Sequence, residues 1–142
     1  CFFAHKFLFN IVFTVPNSDF EKGYFLEPTI IEDLTNCSDL WQEEIFGPVV
    51  TVMSFKYQKD AVKWANTSPY GLAASIWTQD IKRAHKVAHE IQAGTVWVNT
   101  WMRRDLRVPF GGVKASGLGR EGGDDSLAIY SEVKNVCIDL EK

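Results

Sequence analysis

The sequence predicts an α/β fold in which crossover helices cover a largely parallel sheet. Short runs rich in β-branched and aromatic residues alternate along the chain with segments that have the apolar spacing of a helix. No internal repeat, low-complexity tract or linker-like run interrupts this alternation from Asp19 onward. Because 142 residues is the length of one domain, we expect a single globular unit with one core.

Four apolar runs have the composition of strands, and some are apolar enough to be buried on both faces. Two segments between them have helical spacing. In the second helix, Asp80 is the predicted N-cap and Gly94 the predicted C′ residue. The strands are predicted at 26–31, 49–55, 72–77 and 95–98, the helices at 57–66 and 80–93, and the apolar stripe of the second helix at Ile81, Ala84, Val87, Ala88 and Ile91.

The order strand, helix, strand, helix, strand implies right-handed crossovers, which place loops beside an active site at the carboxyl ends of the strands. The longest loop runs from Asn99 to Gly119, and loops of this length are usually either functional or disordered. A short helix is predicted from Ser126 to Ser131. Residues 132–140 alternate like an edge strand that can pair with a second subunit.

Composition and charge exclude several classes of function. With 46% hydrophobic and 23% charged residues the chain is expected to fold, and a net charge of −3 gives no basic field for binding nucleic acid. The three cysteines are odd in number and far apart, which indicates a reducing, cytoplasmic setting and no metal site. His85 and His89 lie one helical turn apart without a third ligand, so we expect a solvated helix face.

Residues 1–20 form an apolar lead segment. Lys6 is its only basic flank and no small-residue cleavage site follows, which disfavours a signal peptide. Pro16 ends the run well short of the roughly 20 apolar residues that a membrane span needs, so no membrane anchor is expected. A buried strand of a larger protein and a segment foreign to the native chain both remain open. Because the first residue is Cys1, we expect the chain to be part of a longer protein.

Several sequence motifs follow one another along residues 23–140. They are Glu43-Glu44-Ile45-Phe46-Gly47-Pro48, Tyr70-Gly71-Leu72-Ala73, Gly94-Thr95-Val96-Trp97-Val98-Asn99, Pro109-Phe110-Gly111-Gly112 and Gly119-Arg120-Glu121. In this order they resemble the motifs of the aldehyde dehydrogenases. The loop from Trp101 to Arg107 is particularly similar to that of the 2-aminomuconic and 2-hydroxymuconic semialdehyde dehydrogenases. Their substrates carry both an aldehyde and a carboxylate, in pathways that degrade tryptophan metabolites or aromatic rings.

The resemblance implies binding roles for four residues. Glu44 matches the carboxylate that holds the nicotinamide ribose of NAD, with NADP not excluded, and Phe46 matches the aromatic beside the nicotinamide ring. Arg104 lies where a guanidinium can bind a substrate carboxylate through two parallel bonds, and Phe110 matches an apolar wall of the substrate funnel. Without the family resemblance, the ordinary interpretations would be structural. Glu44 would be a surface glutamate, Phe46 and Phe110 core aromatics, and Arg104 a solvated loop arginine.

The family mechanism that the resemblance implies uses a cysteine nucleophile, a glutamate base and an oxyanion-stabilising asparagine. No residue here matches these groups, so we expect no catalytic residue in this chain and place them in the preceding part of the protein. Two functions remain open. The chain is either part of an NAD(P)-dependent, homo-oligomeric oxidoreductase that converts an aldehyde to an acid, or a catalytically inactive module that joins oligomers through residues 132–140.

Overall fold

The computed structural model describes residues 10–14, 23–32, 34 and 38–141, with only the backbone described for 10–14. The chain divides into two compact units, Cys1–Ser68 and Pro69–Lys142. The expectation of a single globular unit was therefore wrong. Within the described residues the strands form three separate small sheets, one of three strands and two of two strands.

The first unit is built on a three-stranded sheet. Strand β1 (Asn10–Thr14) pairs antiparallel with β2 (Thr29–Glu32), and β2 pairs parallel with β3 (Val49–Thr51). Helix α1 (Asp39–Gln42) lies in the connection from β2 to β3, and α2 (Gln58–Thr67) follows β3. Part of the lead segment is thus a strand; its residues 1–9 and 15–20, like Cys1 and Cys37, lie outside the described residues.

The second unit contains two pairs of strands. Strand β4 (Tyr70–Gly71) pairs antiparallel with β7 (Val113–Lys114), and β5 (Ala73–Ile76) pairs parallel with β6 (Thr95–Val98). Helix α3 (Ile81–Glu90) connects β5 to β6, so the predicted strand, helix, strand unit is present. Helix α4 (Asp125–Tyr130) matches the short helix predicted after the long loop.

The ends of α3 show one correct prediction and one error. Asp80 is the N-cap, and its Oδ1 accepts hydrogen bonds from the backbone N–H groups of Lys82 and Arg83, at 2.9 and 3.1 Å. Gly94, however, is not the C′ residue, because the helix ends at Glu90. The glycine is needed for another reason: a Cβ on Gly94 would lie 1.7 Å from the carbonyl oxygen of Gly111.

Few apolar side chains of the described residues are buried; they are Ile31, Ala84 and Trp97. The predicted stripe of α3 does face β5 and β6 from Ala84 onward, and Ala84 is only 3% exposed. Ile81, at the start of the same stripe, is 67% exposed. A single helix over two strands covers the middle of such a stripe and not its first turn.

Residues 131–141 contain no helix or strand. The predicted strand 132–140 is therefore not formed within this chain, because a strand requires a neighbour and no described strand pairs with it. The apolar side chains Val133, Val136, Ile138 and Leu140 of this segment are exposed. Pairing with a second subunit stays a prediction. Among the described helices, none is both long and apolar enough to span a membrane.

Candidate functional site

The loop of residues 99–112 is attached to the end of β5 by side-chain hydrogen bonds. Asn99 adopts a left-handed backbone (φ 53°), a conformation that asparagine tolerates better than most residues. Its side-chain amide accepts from the Thr78 N–H and donates to the Thr78 carbonyl, both at 2.8 Å. The Ser75 hydroxyl donates to the Thr100 carbonyl at 2.6 Å. The loop therefore leaves the sheet in a fixed direction.

Trp97 holds the middle of the same loop. Its side chain on β6 is buried, and its indole Nε1 donates to the Arg103 carbonyl at 2.8 Å. The ring also meets Trp101 edge to face, with centroids 5.2 Å apart. Since Arg103 directly precedes Arg104, the buried indole fixes the backbone from which the Arg104 side chain extends.

Arg104 and Phe110, both predicted to bind substrate, are in direct contact. The Arg104 guanidinium carbon lies 4.0 Å from the centroid of the Phe110 ring, the distance of a cation–π contact. Arg104 Nη2 also donates to Glu121 Oε1 at 2.7 Å. The Arg104 side chain is 38% exposed, so this cation is partly screened and still reachable from solvent.

A cavity of about 200 Å³ lies beside this contact. Backbone and side chains of the loop form one side of it, and strand β6 forms the other. A cation next to an aromatic face and proline suits a molecule that is mostly apolar and carries one anionic group. The residues that line it include Thr95, Trp97, Arg103, Arg104, Pro109 and Phe110.

The two other arginines of the loop are oriented differently from Arg104. Arg107 is 88% exposed and pairs with Asp105, so it is a solvated cation. Hydrogen bonds that the Arg107 guanidinium and, to a smaller extent, the Arg107 backbone N–H donate to the carboxylate hold the pKa of Asp105 below its ordinary value. The side chain of Arg103 is also exposed, although the residue lines the cavity.

The predicted cofactor residues lie in the first unit, in the turn of residues 43–48 that precedes β3. Glu44 is exposed, and the Phe46 ring is 97% exposed. Backbone bonds from the Gly47 N–H to the Ile45 carbonyl and from the Val49 N–H to the Gly47 carbonyl, both 2.8 Å, shape the turn. An uncovered acceptor-only carboxylate and an uncovered flat ring fit a ribose diol and a nicotinamide.

The structure thus brings Arg104 and Phe110 together in the second unit, while Glu44 and Phe46 belong to the first. In the part of the chain that the structure describes, no cluster of three or more His, Cys, Asp or Glu side chains could hold a metal ion. Cys137, the one cysteine that is described, is exposed.

Sequence reasoning missed the residues that hold Arg104. Trp97 and Glu121 both lie in motifs that carried the resemblance, but neither received a role. Trp97 could have been found from its sequence position, on a predicted buried strand next to a polar loop. A buried indole N–H needs a hydrogen-bond acceptor, and the loop is where one is available. No local pattern links Glu121 to an arginine 17 positions earlier.

Comparison with known proteins assigns a family. The Aldehyde dehydrogenase family profile matches residues 10–136, so the match begins before residue 23, where the motifs had placed it. The chain is 51% identical to a 2-hydroxymuconic semialdehyde dehydrogenase from Pseudomonas putida over 118 residues, 83% of this chain and 24% of that protein. It is also 51% identical to a 2-aminomuconic semialdehyde dehydrogenase from Danio rerio, covering 82% of this chain and 24% of that protein.

The solved structures agree with the sequence relatives. The NAD+ complex of an aldehyde dehydrogenase from Bacillus cereus superposes with a TM-score of 0.85 at 44% identity, over 94% of this chain and 27% of that one. The chain spans about a quarter of the length of the relatives it matches. The α/β architecture with parallel strand pairs is that of part of a catalytic domain of this kind. The chain belongs to the aldehyde dehydrogenase family.

Proposed function

We propose that the protein oxidises an aldehyde that also carries a carboxylate, such as a muconic semialdehyde, to the corresponding acid with NAD(P). Within it, this chain supplies the substrate-carboxylate site and part of the nicotinamide site. The observation that carries the proposal is Arg104, a partly exposed cation stacked on Phe110 at the edge of a cavity. The names of two relatives, the 2-hydroxymuconic and 2-aminomuconic semialdehyde dehydrogenases, point to the same substrate class.

Arg104 suits a carboxylate better than a lysine would. A guanidinium is planar and always charged, and it can present two parallel N–H groups to the two oxygens of a carboxylate. Each charge-assisted bond contributes about 1.5–3 kcal/mol. Phe110 covers one face of the guanidinium, which removes water from that side and leaves the edge for the substrate.

For the cofactor, we propose that Glu44 accepts hydrogen bonds from the nicotinamide ribose hydroxyls and that Phe46 packs beside the ring. Both side chains are uncovered in the turn 43–48 and have the chemistry for these contacts. A nicotinamide, when bound, supplies the hydride acceptor of the oxidation. We further propose that the nucleophile and base of the family reaction lie outside this chain, which spans about a quarter of the length of its relatives.

The test compares two aldehydes in the full-length protein. Arg104→Gln should lower kcat/KM for 2-hydroxymuconic semialdehyde at least about tenfold, because one or more charge-assisted bonds are lost. The same variant should change kcat/KM for 2,4-hexadienal, which lacks the carboxylate, by less than about threefold. NADH formation is the readout. Arg107→Gln, an arginine of the same loop that is 88% exposed, is the matched control and should leave the ratio of the two substrates unchanged.

The outcomes separate the parts of the proposal. An equal loss for both aldehydes in Arg104→Gln would remove the carboxylate site, and full-length protein that reduces no NAD(P) with either aldehyde would remove the oxidoreductase function. The second candidate, an interaction module, rests on the exposed apolar alternation of residues 132–140. If that segment joins subunits, Ile138→Lys should reduce the assembly to smaller species in light scattering, whereas Lys134→Ala should not.

A further inference from the structure

Two side chains fix the orientation of the Arg104 guanidinium. Phe110 lies against its face at 4.0 Å, and Glu121 accepts from its Nη2 at 2.7 Å. These two partners are themselves held opposite each other, because Phe110 and Glu121 exchange both backbone hydrogen bonds, at 2.7 and 2.8 Å. A single antiparallel bridge therefore positions both the ring that contacts the face of the guanidinium and the carboxylate that bonds to its edge.

Glu121 engages only one nitrogen of the guanidinium. Within the described residues, no acceptor meets Arg104 Nη1 or Nε. A guanidinium carries five N–H donors in a fixed plane, so one carboxylate on Nη2 leaves other donors for a second carboxylate. A flexible arginine in water would lose side-chain entropy when it binds a substrate, and the bond to Glu121 removes part of that cost in advance.

We infer that Glu121 is a positioning residue for substrate specificity: it holds Arg104 in the orientation that selects aldehydes carrying a distal carboxylate. This inference rests on the proposed function of Arg104. Glu121 does not contact the reacting aldehyde in this scheme; it acts through the arginine. It predicts that removing the Glu121 carboxylate weakens binding of the carboxylated substrate and spares an aldehyde without one.

The experiment measures KM and kcat of full-length variants for 2-hydroxymuconic semialdehyde and 2,4-hexadienal. Glu121→Ala should raise KM for the semialdehyde about fivefold to tenfold with kcat changed less than about twofold, because the lost interaction orients a binding group. KM for hexadienal should stay within about twofold. Glu121→Gln keeps an oxygen acceptor and should lie between the wild type and Glu121→Ala. Glu141→Ala, which also removes an exposed carboxylate, is the control and should behave as wild type.

A double variant shows whether Glu121 acts through Arg104. In the Arg104→Gln background, Glu121→Ala should cause no further change in the ratio of the two substrates, since contacting residues that act as one unit are not additive. An undiminished effect of Glu121→Ala in that background, an equal loss for both aldehydes, or an unchanged KM in the single variants would overturn the inference. If Arg104→Gln alone leaves the substrate ratio unchanged, the proposed function fails instead.

Discussion

The loop of residues 99–112 and the turn of residues 43–48 are held in different ways. The loop is fixed by side chains of its own unit: Asn99 bonds to Thr78, Trp97 to Arg103, and Arg104 to Glu121. Backbone hydrogen bonds shape the turn, and the Phe46 ring is almost fully exposed. The loop thus rests on a buried side chain, Trp97, whereas the hydrogen bonds given for the turn by the described residues are between backbone groups.

The comparison indicates which binding residues a segment can hold in place with contacts from its own unit. A site is useful when its groups are held near the productive geometry by packing and by hydrogen bonds behind them. The described residues around Arg104 meet that condition through Trp97, Phe110 and Glu121. Three variants, each with a control, test the contrast between the second unit and the first.

The largest effect is expected from glycines. In Gly94→Ala the new Cβ would lie 1.7 Å from the Gly111 carbonyl oxygen, so backbone must move, and we expect destabilisation of more than about 3 kcal/mol. In Gly47→Ala the nearest atom is a flexible Leu26 methyl at 3.5 Å, an ordinary contact. The apparent Tm of the full-length protein should fall sharply for the first variant and little for the second. Equal tolerance of both would contradict the close packing of the second unit.

A smaller effect is expected from Trp97→Phe, which keeps most of the apolar contact and removes the indole donor to the Arg103 carbonyl. The lost hydrogen bond and the small void should cost about 1–2 kcal/mol. Limited trypsin digestion is a local readout, because cleavage after Arg103, Arg104 or Arg107 requires a loosened loop. Trp101→Phe, at a ring that is 61% exposed, is the control. Unchanged cleavage in Trp97→Phe would show that the indole is not the anchor.

The smallest effect is expected at the helix starts. Asp80→Ala removes the side chain that caps α3 and should cost about 1 kcal/mol. Tyr57→Ala alters the N-cap position of α2, where no side-chain cap exists, and should leave the start of that helix unchanged. Hydrogen exchange at the Lys82 and Arg83 amides should accelerate in Asp80→Ala. If exchange at these amides does not change, their bonds to Asp80 contribute nothing to the helix.

Much of the secondary structure could be predicted because it depends on local rules. Strand β6 was predicted with its observed bounds, since its apolar run has turn residues on both sides. The predicted run 49–55 ends early, at Thr51, because a strand extends only as far as its neighbour: among the described residues, β3 pairs with the short β2 alone. The same rule applies to residues 132–140, which pair with no described strand; their pairing with a second subunit stays a prediction.

The candidate site was predictable only in part, for a related reason. The contact between Arg104 and Phe110 joins two residues that the family motifs had singled out. The support from Glu121 depends on a bridge between two distant stretches of backbone, and no residue pattern in either stretch encodes that pairing. The predicted role of Gly94 as a helix C′ residue was wrong. Glycine is used both to end helices and to allow close approach of a neighbouring backbone, and the sequence does not distinguish these two uses.

The anchors of Arg104 have a consequence for how substrate preference can change. Trp97, Phe110 and Glu121 all fall on one short contiguous stretch, and the farthest of them is only 17 positions from the arginine. A single exchange of that stretch between related enzymes would transfer the cation together with the described side chains that hold it. On the proposed function, selectivity for acidic aldehydes is thus encoded in one contiguous segment that can be inherited as a unit.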